Sequence, residues 1–257
     1  FCGRGGELCC PEISYGFYPV YADIFGVELE QIPLKDDFSI DANDYISKNK
    51  NIVIANPNAP TGLTLTFNEV EKIVASNPDN IVIMDEAYMA FCGKSCMELV
   101  KKYDNLLVTR TFSKSHSLAG LRVGFGIGSK EIIDDLNKLK YSFNPYNLNT
   151  LSIKAAAAAI ADNEYYDDKI AQIVETREKT IADLRALGFN CTDSKANFIF
   201  ASSDKISAAE LAAQLRQKGI LIRYFNKPKI DNYLRITVGS AEDMQTLVDS
   251  IKEITEK

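Results

Sequence analysis

Histidine is almost absent from this chain: one residue of 257, His116, is a histidine. Six cysteines stand at 2, 9, 10, 92, 96 and 191, and no two share a Cys-x-x-Cys spacing. Zinc centres draw on closely spaced cysteine and histidine, so this supply argues against a metal site. A chain this long, with a substantial core, does not need a disulfide framework either, and reduced thiols in a cytoplasm are expected. No apolar stretch approaches the ~18 residues that cross a bilayer. Residues 155–161 are apolar but short and read as a helix. Positive charge is also in short supply: 29 Lys+Arg face 35 Asp+Glu, a formal net charge of -6. That balance argues against nucleic acid and against an anionic membrane as partner. There is no internal repeat, no low-complexity linker and no DNA-binding appendage.

What remains is ordinary globular composition, 46% hydrophobic and 25% charged, in a length that suits one large domain or two smaller ones. Short apolar runs read as strands at 7–10, 27–32, 52–55, 81–84, 106–109 and 123–128. Helices are expected at 18–25, stopped by Gly26, and at 41–47. A further helix at 66–75 carries a capping box, with Thr66 as cap and Glu69 three residues on. Another short helix is expected at 96–101. Residues 130–140 read as an amphipathic helix with Ile132, Ile133, Leu136 and Leu139 on one face. Strands alternating with helices imply a mostly parallel sheet. Near Asn144-Pro145-Tyr146-Asn147 the pattern changes. A long helical stretch from 150 to 187 breaks near Asp162-Asn163 and closes at Gly188. Strands at 197–201, 220–224 and 233–238 and helices at 207–218 and 241–255 follow. The expectation is an α/β fold, a mostly parallel sheet flanked by helices over 1–160, with a smaller C-terminal α+β domain over 161–257.

Three segments carry chemistry. Thr111-Phe112-Ser113-Lys114 follows the apolar run Leu106-Leu107-Val108, and Arg122 lies beyond a Leu-Ala-Gly turn. A lysine amine can condense with an aldehyde. Hydroxyls and a guanidinium suit a phosphate on the same molecule. Asp85-Glu86-Ala87-Tyr88 ends the continuous apolar run 81–84, where buried strands of α/β sheets present ligand contacts. Asn56-Pro57-Asn58-Ala59-Pro60-Thr61-Gly62 is a stiff loop after a strand. Each has a plainer reading. Lys114 alone would be a surface lysine, Asp85 a helix cap, Tyr15 core filler and Arg235 an edge-strand residue.

In this order the three segments resemble the large domain of the fold-type I pyridoxal-phosphate-dependent aminotransferases, and the resemblance runs from Phe1 to Lys257. Tyr15-Gly16-Phe17-Tyr18, Ile222-Arg223-Tyr224-Phe225 and Asn232-Tyr233-Leu234-Arg235-Ile236-Thr237-Val238-Gly239 point within it to the histidinol-phosphate subfamily. The resemblance implies pyridoxal 5'-phosphate as cofactor, with Lys114 as the lysine that bonds it. It implies Asp85 on the pyridine nitrogen, Tyr88 on the ring hydroxyl and Tyr15 stacked on the ring. Ser113 and Arg122, supported by Thr111, would hold the phosphate. Arg223 and Arg235 would bind substrate anions.

One departure is visible. Many family members carry asparagine directly before Pro-Thr-Gly, where this chain has Ala59, so either Asn58 substitutes or Tyr88 acts alone. His116, next to the lysine, tempts a general-base role, but in this chemistry the freed lysine moves the proton. The implied partners are an amino donor and a 2-oxo acid, in a homodimer, with no metal. The implied reaction passes an amino group from histidinol phosphate to 2-oxoglutarate in histidine biosynthesis. An aromatic amino-acid aminotransferase, a phosphothreonine decarboxylase and a non-catalytic aminotransferase-like binding domain are the alternatives. The chain begins at Phe1 with no signal peptide, where family members carry a further N-terminal segment. A truncated chain is therefore expected, one that binds cofactor weakly without its phosphate-binding turn.

Overall fold

The computed structural model describes residues 2–256. Strands β1 (Glu7–Pro11), β2 (Glu28–Ile32), β3 (Asn51–Ala55), β4 (Val82–Asp85), β5 (Leu106–Thr111) and β6 (Gly124–Ile127) form one sheet. Their order is β2-β1-β3-β4-β5-β6. Every neighbouring pair is parallel except β5 with β6. Helix α1 (Phe17–Phe25) follows β1, α2 (Phe67–Ser76) follows β3, and α3 (Lys130–Phe143) follows β6.

The continuous apolar runs are explained by what covers each face. Ile52, Ile54, Val82, Met84, Leu106 and Val108 pack against Val70, Ile73 and Val74 of α2. The opposite face carries Cys10, Val53 and Ala55 against Tyr18 of α1. Helix α2 begins with the expected capping box: Thr66 accepts from the Glu69 N–H, and the Glu69 carboxylate accepts from the Thr66 N–H. Helix α1 stops at Gly26, whose φ of 64° is a left-handed conformation that costs glycine little.

The remainder builds a second, antiparallel sheet. Helices α4 (Thr150–Ala161) and α5 (Asn163–Ala186) lead into β7 (Phe189–Cys191) and β8 (Phe198–Ser203). Helix α6 (Ala208–Gln217), β9 (Arg223–Tyr224), β10 (Tyr233–Thr237) and α7 (Ala241–Thr255) complete it. The order is β7-β8-β10-β9. Ile181 and Leu184, Leu211 and Leu215, and Leu247 and Ile251 bring α5, α6 and α7 onto Ile199, Leu234 and Ile236 in a separate core. This is the α/β architecture expected, a mostly parallel sheet followed by a smaller α+β unit.

Several local expectations need correction. The segments at 41–47 and 96–101 are 3-10 turns, Ala42–Tyr45 and Met97–Lys101, rather than α-helices. Strand 220–224 shrinks to Arg223–Tyr224, and the strand at Phe189–Cys191 was not anticipated because three residues are too few to show a period. The predicted apolar face of α3 is buried at Ile132 alone, while Leu139 is 64% exposed.

The two sheets meet at the loop after β3. The Lys195 N–H donates to the Gly62 carbonyl at 2.7 Å, and the Thr192 hydroxyl donates to the Thr61 carbonyl at 2.7 Å. A Cβ added to Gly62 would lie 2.1 Å from Ser194 Oγ and 2.9 Å from its Cα, at a φ of +74°. Arg177 of α5, 2% exposed, donates to the carbonyls of Phe91 and Ala196 and so ties both units together. Gly62→Ala is therefore expected to lower unfolding free energy by about 2 kcal/mol or more, since left-handed backbone alone costs a residue with a Cβ roughly 1–2 kcal/mol. Thr66→Ala, a cap loss far from the seam, is the reference at about 1 kcal/mol. Urea unfolding of both variants decides the matter, and a Gly62→Ala cost no larger than the cap loss would mean the seam yields.

Candidate active site

Strands β4 and β5 lie side by side with Asp85 opposite Thr109, both near their carboxyl ends. In an open α/β sheet that end is where ligands are held. Asp85 Oδ2 accepts from the Tyr18 hydroxyl at 2.9 Å, and Oδ1 accepts from the Ala87 N–H at 3.2 Å. Burial pushes the Asp85 carboxyl up from its ordinary range, opposed by the Tyr18 hydroxyl, the Ala87 N–H, the Thr109 side chain and the charge of Lys114. The plainer capping role is thus partly present. Yet the 3-10 turn that follows, Met89–Phe91, has Tyr88 as its cap rather than Asp85.

Lys114 sits in the turn beyond β5, half-buried. The Leu118 N–H donates to the Phe112 carbonyl at 3.0 Å, and the Ser117 N–H to the Lys114 carbonyl at 3.2 Å, so the turn is closed by its own backbone. The Lys114 ammonium stands 5.2 Å from the centre of the Tyr88 ring, a distance at which a cation is attracted to the ring face. The Thr111 hydroxyl donates to Ser113 Oγ at 2.9 Å and accepts from the Ser113 N–H at 3.1 Å. Arg122 is exposed, in left-handed backbone at φ 55°, with a guanidinium nitrogen donating to the Ala119 carbonyl at 3.0 Å. Tyr15 is 47% exposed, stacked on Phe17 at 5.8 Å and edge-on to Tyr18 at 5.5 Å.

Asn58, the expected substitute for the missing asparagine contact, is committed within its own surroundings. It is 1% exposed. Its amide donates to the Ile13 carbonyl at 2.9 Å and to Thr61 Oγ1 at 3.1 Å, and its oxygen accepts from Ser14 at 2.8 Å. A side chain with these commitments braces its loop. Ala59 packs instead in an apolar cluster with Ala196, Phe198 and Tyr88.

Arg223 and Arg235 are direct partners across β9 and β10. Strand β10 lies between β8 and β9, so Arg235 is not on an edge. Its Nε is buried with no hydrogen-bond partner among the described residues, and its guanidinium lies 5.2 Å from the Phe198 ring. Like charges directly opposite one another destabilise a sheet. An anion between the two guanidiniums would remove that penalty. Both arginines line a cavity of about 580 Å³ together with Tyr15, Ala59 and Pro60. Phe198 also meets Tyr88 edge-on at 5.1 Å, so an unbroken row of side chains runs from Lys114 through Tyr88 and Phe198 to Arg235. A larger cavity, about 860 Å³, lies between His116, α5 and α7. Of its charged lining, Lys179 pairs with Asp183 and Lys169 with Asp168 just outside it.

His116 packs rather than reacts. Its ring lies 4.8 Å from Tyr166 and 5.0 Å from Phe112, and Nδ1 is 3.0 Å from Ser115 Oγ. Burial, then the charge of Arg110, hold its pKa below the ordinary value. Among the described residues no cluster of three or more His, Cys, Asp or Glu is placed to hold a metal ion. Among the described residues no helix is long and apolar enough to cross a membrane.

The donor set fits a phosphorylated pyridine aldehyde. A buried carboxylate, a lysine amine, two tyrosine rings, a hydroxyl pair and an exposed arginine are the donors its nitrogen, aldehyde, ring and phosphate call for. A family model for aminotransferase class I and II matches residues 1–251. The chain belongs to the class I and II aminotransferases. It is 52% identical over 255 residues to a histidinol-phosphate aminotransferase of Brachyspira hyodysenteriae, covering 99% of this chain and 72% of that protein. A histidinol-phosphate aminotransferase of Acinetobacter baumannii is 46% identical over 250 residues, 97% of this chain and 69% of that one. The crystal structure of the histidinol-phosphate aminotransferase from Clostridium acetobutylicum superposes with a TM-score of 0.91 at 26% identity, over 98% of this chain and 78% of that one.

In this aminotransferase two features escaped the sequence reading. One is Tyr18 on Asp85. Its spacing of three from Tyr15 at the start of a helix was the available signal. The other is Glu86, whose side chain is 0% exposed. Its Oε2 accepts from Arg110 Nε at 3.0 Å, from a terminal Arg110 nitrogen at 2.8 Å and from the Ser95 hydroxyl at 2.6 Å. Its Oε1 accepts from the Cys96 N–H at 2.7 Å. This knot holds the backbone between Asp85 and Tyr88. Glu86→Ala leaves a guanidinium and two further donors unmatched, and breaking such a pair costs about 3–5 kcal/mol when fully buried. Arg110 is 24% exposed and regains some hydration. About 3 kcal/mol of lost stability is expected in urea unfolding, and a loss under about 1 kcal/mol, the scale of a surface pair, would count against the knot.

Proposed function

We propose that this aminotransferase passes an amino group from a phosphorylated amine of the histidinol phosphate kind to a 2-oxo acid such as 2-oxoglutarate, in histidine biosynthesis. The observation that carries the reading is the row from Lys114 through Tyr88 and Phe198 to Arg235, opening on the cavity that Tyr15 and Arg223 also line. The relatives named for histidinol phosphate, at 52% and 46% identity, support the substrate class.

Pyridoxal 5'-phosphate, when bound, supplies an aldehyde for amines and a ring that accepts electrons from the substrate carbon. Lys114 would bond it covalently and, once displaced by the incoming amine, take and return the proton at its Nζ. Asp85 would hold the pyridine nitrogen protonated through its carboxylate. Tyr88 would donate to the ring hydroxyl, alone, because Asn58 is committed elsewhere and Ala59 has nothing to donate. Tyr15 offers a flat exposed face for the ring. Ser113, Thr111 and Arg122 would take the phosphate, and Arg223 and Arg235 the anionic groups of the two substrates. Two guanidiniums suit a substrate pair in which both members carry an extra anion, as histidinol phosphate and 2-oxoglutarate do.

The two sheets with separate cores support a division into a cofactor-binding unit over 1–160 and a smaller unit over 161–257. Exposed apolar side chains on α1, α3 and α4, among them Phe17, Ile24, Phe143 and Leu151, support a homodimer. Six free cysteines suit a reducing cytoplasm.

Two outcomes test this reading. Borohydride trapping of bound cofactor and peptide mapping should place the label on Lys114, and Lys114→Ala should take up no label and lose transamination. A label on another lysine would overturn the assignment. Arg223→Leu should raise KM for histidinol phosphate roughly tenfold, the lower end for a charge-assisted contact at an exposed position, and Arg235→Leu by more. KM for phenylalanine should move far less with Arg223→Leu, and equal losses on both donors would remove the phosphate role.

A further inference from the structure

Asp85 is the one carboxylate turned toward the proposed cofactor, and its surroundings act on it unequally. Tyr15 and Tyr18 face it from the α1 side, Thr109 from β5 and Lys114 from the loop beyond, while Cys10 of β1 lies behind Tyr18. Glu86, its neighbour in sequence, is committed to Arg110, Ser95 and the Cys96 N–H. Of the groups around Asp85, Lys114 carries the opposite charge, and the reaction frees and consumes that charge. The group that does not change is Tyr18. It is 6% exposed, its ring is fixed among Cys10, Val53 and Ala55 of the sheet, and its hydroxyl donates to Asp85 Oδ2 at 2.9 Å.

We propose that Tyr18 is the positioning residue for Asp85, its rigidly held hydroxyl fixing the carboxylate in its ionised form and turning the remaining lone pairs toward the cofactor nitrogen. The inference rests on the reading of Asp85 as the partner of that nitrogen. The physical reason is burial. A carboxylate out of water favours its protonated form, and a protonated Asp85 would have no charge to offer a pyridinium. A hydrogen bond donated to the charged form opposes this preference. The Ala87 N–H supplies one such bond at 3.2 Å, and the shorter Tyr18 bond supplies the second. The phenol remains a donor throughout, because burial, followed by the charge of Asp85, raises its own pKa well above the ordinary value. A carboxylate has about four acceptor positions, so Tyr18, Ala87 and the Thr109 side chain together still leave room for the cofactor.

The test begins without cofactor. Aspartate side-chain carbons are labelled with carbon-13, and the Asp85 resonance is assigned by its loss in Asp85→Asn. Tyr18→Phe, which keeps the ring and removes only the hydroxyl, should raise the Asp85 titration midpoint by about one pH unit, a tenfold change in ionisation. Incorporation of 3-fluorotyrosine at position 18, a stronger donor, should lower it. A midpoint that moves in neither variant overturns the proposal.

The second arm is a titration with pyridoxal 5'-phosphate. Tyr18→Phe should weaken binding roughly tenfold at the acidic end and less at alkaline pH, where Asp85 ionises without help. In an Asp85→Asn background the same change should have no effect on binding, and an equal effect there would make Tyr18 merely structural. Should Asp85→Asn bind the cofactor as the unaltered chain does, the cofactor reading of Asp85 fails. The carbon-13 midpoint still decides, independently, whether Tyr18 controls that carboxylate.

Discussion

The contact between Gly62 and Ser194 governs how everything else in this chain meets. A single missing Cβ lets the loop after the third strand lie flat against the segment entering the small sheet, and two backbone carbonyls of that loop accept hydrogen bonds across the junction. Close packing transmits such a constraint because neighbours have no empty space to absorb it. Ala59, three residues earlier, then falls against Ala196, Phe198 and Tyr88. Those rings in turn set the ammonium of Lys114 and the guanidinium of Arg235 at the two ends of one row. The lysine proposed for the cofactor and the arginine proposed for substrate are thus aligned by an apolar seam rather than by any direct polar bond between them.

Electrostatics at this seam follow from what is buried with what. Glu86 and Asp85 are adjacent in sequence and point into opposite environments. Glu86 is saturated by an arginine, a hydroxyl and a backbone N–H, which makes it a fixed strut. Asp85 has only neutral donors in contact, so its charge remains available to a ligand. Arg235 shows the same logic with the sign reversed: among the described residues its buried nitrogen has no partner, and a second arginine faces it across the ladder, which suits the anion proposed for it. Unmatched charge of this kind costs stability, and proteins keep it where a ligand will match it.

Much of this could be read from the chain because the chemistry is concentrated in short segments. Strand-ending Asp85 and turn-borne Lys114 announce themselves by sitting directly after continuous apolar runs, a local pattern that survives without any knowledge of the fold. The capping box at Thr66 and the stop at Gly26 are likewise local. The failures are all matters of what packs on what. Leu139 has the right spacing for a buried face but no sheet beneath it, and Asn58 has the right chemistry for a cofactor contact but is claimed by Ile13 and Thr61. Residues 41–47 and 96–101 have helical composition but too little length to propagate beyond a tightened turn, since nucleation is costly and each added residue returns little.

The role of Tyr18 was hidden for a different reason. Tyrosine on the inner face of an amphipathic helix is ordinary core material, and its hydroxyl becomes significant only when a strand distant in sequence places a carboxylate 2.9 Å away. The pairing joins residues 67 positions apart, through a helix that packs on one strand and a carboxylate that ends another. Sequence periodicity can say which side of the helix faces the sheet, but not which strand end the hydroxyl will reach. That depends on strand order, and the order β1-β3-β4 interposes one strand between the helix's own strand and the one bearing Asp85. The Tyr18 side chain crosses that middle strand, packing on Val53 and Ala55 on its way from Cys10 to Asp85. This topology, more than any property of the tyrosine itself, is why a carboxylate that burial would neutralise can remain charged at the end of an apolar strand.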